Sequence, residues 1–389
     1  MLGDLIDVQT QPLPFLTKDV TDRVHTAEWH YAKAIIQQPV VKTDRPAEVT
    51  VIVVNWNRRD LLRRCLASLC EQRDAAFEVI VVDNGSVDGS AEMVRSEFDR
   101  PGGPRVSLVV NESNRGFCAA NNQGFARART PFVALLNNDA EAGAEWLASL
   151  RAAFEQGPDI GMAASKILVW EDPARIDKAG HLIYPDGQNR GRGSGQLDQG
   201  QFDRCEEVLW PDGCAAMYRR AMIDQIGGFD EDFFAYADDA ELGLRGRIAG
   251  WRCLYVPRAV VRHHRGATLG VASLRRLSLI ERNRVLLAAK LFPWSLLWLN
   301  PAYYLARLTA GLWAALRSRG EIRRYREAVG LPQTALAMIR GDLEALAMLP
   351  RMLAKRKETA RYRTLTPRQV RQLILAHRIS LRELSEQSN

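Results

Sequence analysis

The sequence lacks most of the signals that settle a chain's class at once. Its six cysteines, Cys65, Cys70, Cys118, Cys205, Cys214 and Cys253, are scattered over 389 residues. They form no C-x-x-C pair and no metal-ligand spacing, which excludes a disulfide scaffold or a zinc ribbon and reads as buried free thiols in a reducing compartment. There is no G-x-x-x-x-G-K-[ST], and no G-x-G-x-x-G follows the first strand-like run, so neither a P-loop hydrolase nor a dinucleotide-binding oxidoreductase is supported. The opening MLGDLIDVQTQPLPF has neither the basic start nor the apolar centre of a signal peptide. A cytoplasmic protein is therefore expected. The longest apolar stretch, Leu291 to Leu316, has the length to span a bilayer, but Pro293, Asn300, Pro301 and Arg307 interrupt it.

What is present is the composition of a globular chain, 47% hydrophobic and 25% charged, with enough apolar mass for a large core in two or three units. The net charge of +7 is unevenly placed. Residues 290–389 carry 18 basic and 7 acidic side chains, a net of +11, which leaves −4 for residues 1–289. Residues 1–47 hold Pro12, Pro14, Pro39 and Pro46 and one candidate helix near Val24 to Gln37, and read as an extension.

From Glu48 onward, β-branched runs alternate with helical patterns. Strands are expected at 50–55, up to Asp83, up to Asn111 and up to Asn137, with helices at Arg58–Gln72, Ser90–Phe98, Phe117–Arg129 and, later, Arg219–Ile226. Continuous apolar strands separated by helices imply parallel strands covered on both faces, a doubly wound α/β sheet. The Gly- and Gln-rich segment Gly187–Gln201 reads as a mobile loop, and a last strand is expected to end at Pro257.

In open α/β sheets, ligands bind at the carboxyl ends of the strands. Here those ends carry Asn55 and Asn57, Asp83 and Asn84, Asn111 and Asn114, and Asn137, Asn138 and Asp139. One such residue is usually a turn or helix cap; four aligned strand ends make a polar crevice suited to a nucleoside and a hard cation. With no phosphate-binding loop, Mg²⁺ or Mn²⁺ is the natural means of neutralising phosphates. Asp139 is its natural ligand and His263, after the last strand, the residue that completes the site.

The blocks TVIVVNWN, EVIVVDNGSVDGS, NRGFCAANNQG, LLNNDA, GGFDEDFFAYADDAELGLRGRIAGW and HHRGAT, in this order, resemble glycosyltransferase family 2, and within it the rhamnosyltransferase-like branch of bacterial cell-wall and surface-polysaccharide enzymes. The resemblance covers about residues 48–300. It implies a GT-A fold, that is, a doubly wound mixed sheet, with a nucleotide-diphospho-sugar donor, a divalent metal and an inverting transfer. By this resemblance Asp83 binds the nucleobase or ribose and Asn55 lies beside the base; Asn114 and Asn138, from their places at the strand ends, are expected to line the same crevice. Asp139 matches the last aspartate of the Asp-x-Asp metal motif, whose first carboxylate is replaced by Asn137. His263 stands at the late metal-ligand position, with His264 as the alternative register. The family's Glu-Asp pair falls on Asp238 and Asp239. Asp239 is the expected catalytic base, taking the acceptor hydroxyl proton. The acids Asp238, Asp239 and Glu241 also fit a plain helix N-terminus, where negative charge is favoured.

The resulting organisation is an extension at 1–47, a GT-A domain at 48–272, amphipathic membrane-associating helices at 273–330 and a basic helical tail at 331–389. Trp294, Trp298, Tyr303, Tyr304 and Trp313 beside Arg317, Arg319, Arg323, Arg324 and Arg326 suggest helices lying on the inner face of an anionic cell membrane. The alternative is a helix layer covering the core or a dimer seam. No nucleic-acid module accompanies the basic tail, so no nucleic-acid partner is expected. Glycan or polyprenyl-linked acceptors fit the branch. Rhamnose is its first candidate sugar, with glucose, galactose and mannose open. A nucleotidyltransferase and an inactive sugar-nucleotide-binding or scaffold protein remain alternatives.

Overall fold

The computed structural model describes residues 46–98, 103–264, 273–317, 325 and 327–386. The candidate helix near Val24 to Gln37 and the side chains of Arg319, Arg323, Arg324 and Arg326 lie outside the described residues. The first four strands, β1 (Val49–Asn55), β2 (Phe77–Asp83), β3 (Arg105–Val110) and β4 (Phe132–Leu136), alternate with α1 (Arg59–Cys70), α2 (Ser90–Glu97) and α3 (Phe117–Arg127). All pair in parallel, in the spatial order β3-β2-β1-β4. Val49, Val51 and Val53 bury one face of β1 while Ile52 buries the other, as expected for a strand covered on both sides.

Beyond β4 the sheet changes direction. A short β5 (Ala140–Ala142) leads into α4 (Trp146–Ala153) and the long β6 (Ile160–Val169). β7 (Ile176–Lys178), the hairpin β8 (His181–Ile183) and β9 (Asn189–Gly191), β10 (Glu206–Val208), β11 (Ala215–Arg219) and α5 (Arg220–Ile226) follow. Strand β11 inserts antiparallel between β4 and β6. β12 (Arg252–His263) runs parallel to β6, with a register shift between Val256 and Val260. That irregularity carries β12 past Pro257, where a proline had suggested its end, and delivers His263 beside Ala140 of β5. The sheet is therefore mixed, as the family resemblance implies.

The Gly187–Gln201 segment is not a free loop. Asn189–Gly191 is β9, paired with β8. Arg190 and Gly191 are buried, and Ser194 is buried in the turn that follows.

The remaining helices are α6 (Asp238–Ile248), α7 (Leu274–Leu291), α8 (Trp294–Leu297), α9 (Asn300–Leu316), α10 (Leu331–Thr359), α11 (Pro367–Ala376) and α12 (Leu381–Glu386). Leu286, Leu287, Leu291 and Phe292 join the same apolar cluster as Tyr218 of β11 and Leu242 of α6. Thus α7 is part of the packing that fixes α6, and α10 lies along α7, with Gly341 so close to Ser278 that a Cβ there would meet its carbonyl oxygen at 2.4 Å.

Charge also locks α6 in place. Glu241, fully buried, is 2.8 Å from Arg245 Nε and 2.7 Å from Lys290 Nζ, and Lys290 also reaches Asp230 Oδ2 at 2.6 Å. Burial opposes ionisation of Glu241, but Arg245 and Lys290 outweigh it and hold its pKa below the usual carboxylate range. Glu241 is thus a structural acid, unlike the two aspartates before it. Removing one member of a buried ion pair strands the other, so Glu241→Gln is expected to cost about 3–5 kcal/mol of stability by urea denaturation.

Candidate active site

The four parallel strand ends do form one polar edge, and hydrogen bonds knit it together. Asn55, buried at the end of β1, donates through Nδ2 to Asp83 Oδ2 and to Ser86 Oγ, both at 3.2 Å, while its Oδ1 accepts from Asn138 Nδ2 at 2.7 Å. Asp83 Oδ1 accepts from the Ser86 amide at 2.9 Å. Asn55, Asp83 and Asn138 are thus brought together. Asn114 is set apart on the exposed loop after β3, where Oδ1 accepts from Asn84 Nδ2 at 3.0 Å and from the Gly116 amide at 2.9 Å. Its contacts shape the loop that enters α3.

Asp139 and His263 meet as well. The His264 amide donates to the Asp139 carbonyl at 2.9 Å, pinning the end of β12 to the turn after β4. His263 Nε2 then lies 3.4 Å from Asp139 Oδ1, a buried oxygen with no hydrogen-bond partner among the described residues. The other ring nitrogen, Nδ1, is held by Asp177 Oδ2 of β7 at 2.7 Å. Burial disfavours a charged imidazole, but Cys214, Asp139 and Asp177 outweigh it and raise the His263 pKa well above its ordinary value. His264 faces elsewhere, stacked on Trp170 at 4.1 Å. Of the two registers, His263 is the one that meets Asp139.

The third element is the N-terminus of α6. Phe234, Tyr236 and Ala237, just before Asp238, all have left-handed backbone angles, with φ of 64°, 69° and 54°. Such angles are unusual for bulky residues and persist only where the surroundings enforce them. Here the enforcement comes from α7. Asn283 Nδ2 donates to the carbonyls of Phe233, Ala235 and Tyr236 at 2.9, 2.8 and 2.7 Å, and Arg282 donates to those of Asp232 and Phe233. On the other side, the Phe117 amide of α3 donates to the Phe234 carbonyl at 2.9 Å. Gly116 must be glycine there, since a Cβ would lie 2.5 Å from the Phe234 ring and φ is +87°.

The outcome is that Asp238 and Asp239 are presented side by side. Burial and the neighbouring Asp239 raise the Asp238 pKa well above the usual range. For Asp239, burial and Asp212 raise the pKa, partly countered by His181 and Lys178, with a net upward shift.

The sequence reading missed three residues at this place. His181 Nε2 lies 2.8 Å from Asp212 Oδ2 and 3.5 Å from Asp239 Oδ2, and Lys178 Nζ reaches the same Asp212 oxygen at 2.5 Å. The Gly213 amide donates to Asp239 Oδ2 at 3.3 Å. The loop Asp212–Cys214 joins the two centres, because Cys214 contacts His263 while its carbonyl accepts from the Asn137 amide. Asp212 sits in a Pro-Asp-Gly run that reads as a turn, and His181 in a three-residue strand without a motif; only the tertiary fold joins them.

The strand ends of this polar edge, as far as the aspartate after β4, lie in a stretch with known relatives, and the acid pair of α6 follows just beyond it. Residues 50–227 match the model for glycosyl transferase family 2. These residues form a family 2 glycosyltransferase domain. Over 298 residues this glycosyltransferase is 27% identical to the N-acetylglucosaminyl-diphospho-decaprenol L-rhamnosyltransferase of Mycobacterium tuberculosis, covering 71% of this chain and 94% of the relative. A pre-mycofactocin glycosyltransferase of the same organism is 31% identical over 223 residues, 56% of this chain and 42% of that one. Among solved structures, GalNAc-T7 with UDP, GalNAc and Mn²⁺ superposes with a TM-score of 0.54 at 16% identity, over 84% of this chain and 68% of that one. That likeness bears on the fold.

The role of Asn283 in the glycosyltransferase is open to measurement. Asn283→Ala takes the side-chain donor from the Ala235 and Tyr236 carbonyls, each a loss of about 1–3 kcal/mol when buried, while the Phe233 carbonyl keeps Arg282. Faster amide hydrogen exchange across residues 233–239 and a fall in turnover are expected, with exchange in β1 to β4 unchanged.

Proposed function

We propose that the enzyme is an inverting transferase that moves a sugar, rhamnose being the first candidate, from a nucleotide-diphospho-sugar to a hydroxyl of a glycan or polyprenyl-linked acceptor in cell-wall or surface-polysaccharide synthesis. The observation that carries this reading is the pairing of Asp139 with His263 on the same sheet edge that displays Asp83 and the acid pair of α6. Asp83 and Asn55 would take the nucleoside, with Asn138 fixing Asn55 and Asn114 shaping the loop beside it. The relative from Mycobacterium tuberculosis supports the rhamnosyl donor and the lipid-linked acceptor by its own name.

A divalent cation fits the residues at Asp139. The carboxylate oxygen without a partner and the imidazole nitrogen turned toward it are a hard-oxygen and borderline-nitrogen set suited to Mg²⁺ or Mn²⁺. Asp177 on the far ring nitrogen is the outer carboxylate that such histidines commonly carry. The bound ion would neutralise the leaving diphosphate. Asp239 accepts the proton of the acceptor hydroxyl as that oxygen attacks the anomeric carbon from the face opposite the diphosphate. Asp238, kept neutral more readily than its neighbour, leaves Asp239 to carry the charge.

Asp239→Asn is expected to lower kcat by about 10²- to 10⁴-fold with donor affinity retained. Because a base must be ionised and the Asp239 pKa is shifted upward, activity falls as pH drops through a value above the ordinary aspartate pKa of about 3.9; a kcat profile flat down to that value contradicts the assignment. Complete chelation of divalent ions abolishes transfer and Mn²⁺ or Mg²⁺ restores it; transfer that persists without metal removes Asp139 and His263 as ligands.

Peripheral contact with the inner face of an anionic membrane completes the proposal. Among the described residues no helix is long and apolar enough to cross a membrane. Instead α9 exposes Leu305, Leu312 and Trp313, the turn before it exposes Trp298 (82% accessible), and α10 exposes Leu336, Ile339, Leu343 and Leu346. These side chains cover no core, and the surplus of +11 charges in residues 290–389 suits anionic lipid. Sedimentation with phosphatidylglycerol vesicles, weakened by salt and by the double substitution Ile339→Glu and Leu343→Glu, is the expected outcome; no binding at low salt rejects this part.

A further inference from the structure

The acid pair of α6 has a neighbour that the transfer reaction described above does not use. Resting on the reading of Asp239 as the base, we propose that His181 is a positioning residue for the Asp239 carboxylate, itself oriented by the ion-paired Lys178 and Asp212. The chain of contacts is continuous. Lys178 Nζ binds Asp212 Oδ2 at 2.5 Å, the same oxygen meets His181 Nε2 at 2.8 Å, and that nitrogen faces Asp239 Oδ2 at 3.5 Å. Asp212 Oδ1 is fixed separately by the Cys214 amide at 2.9 Å. The imidazole is held in plane by Trp210, stacked at 5.9 Å between centroids with 23° between rings. Asp212, His181 and Asp239 each have a second restraint, from the Cys214 amide, the Trp210 ring and the Gly213 amide.

A cluster of His181, Asp212 and Asp239, with ligand atoms within 4.8 Å of one another, also has the composition of a cation site. Lys178 argues against that use. Its ammonium already occupies the Asp212 oxygen that a metal would need, and a divalent ion there would sit against a buried positive charge. The outcome of that pairing is visible in Asp212: burial opposes its ionisation, but Lys178 and His181 outweigh burial and bring its pKa well below the usual range. Asp212 is therefore a fixed anion that orients His181, in the way an outer carboxylate orients a catalytic or ligating histidine.

The need for such a device follows from crowding. Asp238, Asp239 and Asp212 bring three carboxyls together at one buried place, and like charges in contact oppose ionisation. A base that must lose its proton before each turnover there requires a donor that favours the charged, correctly aimed form. His181 Nε2 and the Gly213 amide both address Oδ2. In the transfer step the acceptor oxygen forms its bond to the anomeric carbon, the bond from that carbon to the diphosphate oxygen breaks with its electron pair going to the diphosphate, and the hydroxyl proton passes to Asp239. His181 takes no part in these bonds; it sets where Asp239 points.

The test is steady-state kinetics of the full chain, with the donor that wild type consumes from a panel of dTDP-rhamnose, UDP-glucose, UDP-galactose and GDP-mannose. His181→Ala, Asp212→Asn and Asp239→Asn are compared. His181→Ala and Asp212→Asn are expected to lower kcat about 10- to 100-fold with donor KM unchanged, and added imidazole to restore part of the loss in His181→Ala alone. The proposal is overturned if His181→Ala stays within about twofold of wild type while Asp239→Asn is inactive. It is equally overturned if kcat and donor KM change together with a lowered melting temperature and imidazole restores nothing. If Asp239→Asn itself remains active, it is the reading of the base that fails, a result distinct from either of these.

Discussion

Compensation of buried carboxylates is the constraint on which the site depends. Asp83, Asp139, Asp177, Asp212, Asp238 and Asp239 are drawn to one edge of the sheet, and a buried anion is costly unless a donor or cation answers it. Each has a different answer. Asp83 takes amide donors from Asn55 and Ser86, Asp177 takes the His263 ring, and Asp212 takes Lys178 and His181. Asp238 and Asp239 are the least compensated: burial raises both pKa values, Asp239 adds to the rise at Asp238 and Asp212 to that at Asp239, which His181 and the Gly213 amide partly counter. One oxygen, Asp139 Oδ1, is left without a hydrogen-bond donor among the described residues, and it is the one that best accommodates an external cation.

The helices after the sheet serve this edge directly. α7 places Asn283 and Arg282 under the left-handed turn that starts α6, and Lys290 under Glu241 within it. The same helix holds the β8–β9 hairpin, since Arg284 donates to the Asp186 carbonyl at 3.2 Å and Arg307 of α9 reaches Asp186 Oδ2 at 2.6 Å. His181 begins that hairpin. The layer that exposes Leu305 and Leu312 to its outside is therefore bonded, within one or two contacts, to the hairpin and the turn that flank Asp239. A docked acceptor and the base would share one rigid support.

The first half of the sheet was legible because its physics is local. Val-rich runs between helices announce buried parallel strands, and β1 to β4 fall within a residue or two of their expected ends. The later half was not, for reasons that differ by element. β5, β7, β8, β9 and β10 have three residues each, too few for periodicity, and β5 and β10 exist only through β12, far along the chain. Pro257 signalled an end to β12 that a register shift circumvents. Asn55, Asp83, Asp139 and the α6 pair were visible because family motifs carry them. Lys178, His181, Asp212 and Asn283 were invisible because their neighbours are assembled by the hairpin and by α7, and no spacing in the sequence encodes that approach.

On the proposed function, the sheet edge would hold a divalent ion at Asp139 for a nucleotide-diphosphate ligand. Electron paramagnetic resonance titration of Mn²⁺ into the full-length protein with dTDP, for wild type and Asp139→Asn, tests it most directly. The account predicts one dTDP-dependent Mn²⁺ site in wild type that is lost in Asp139→Asn while the fold is kept. An unchanged Mn²⁺ site in the variant, or none in wild type, would contradict it.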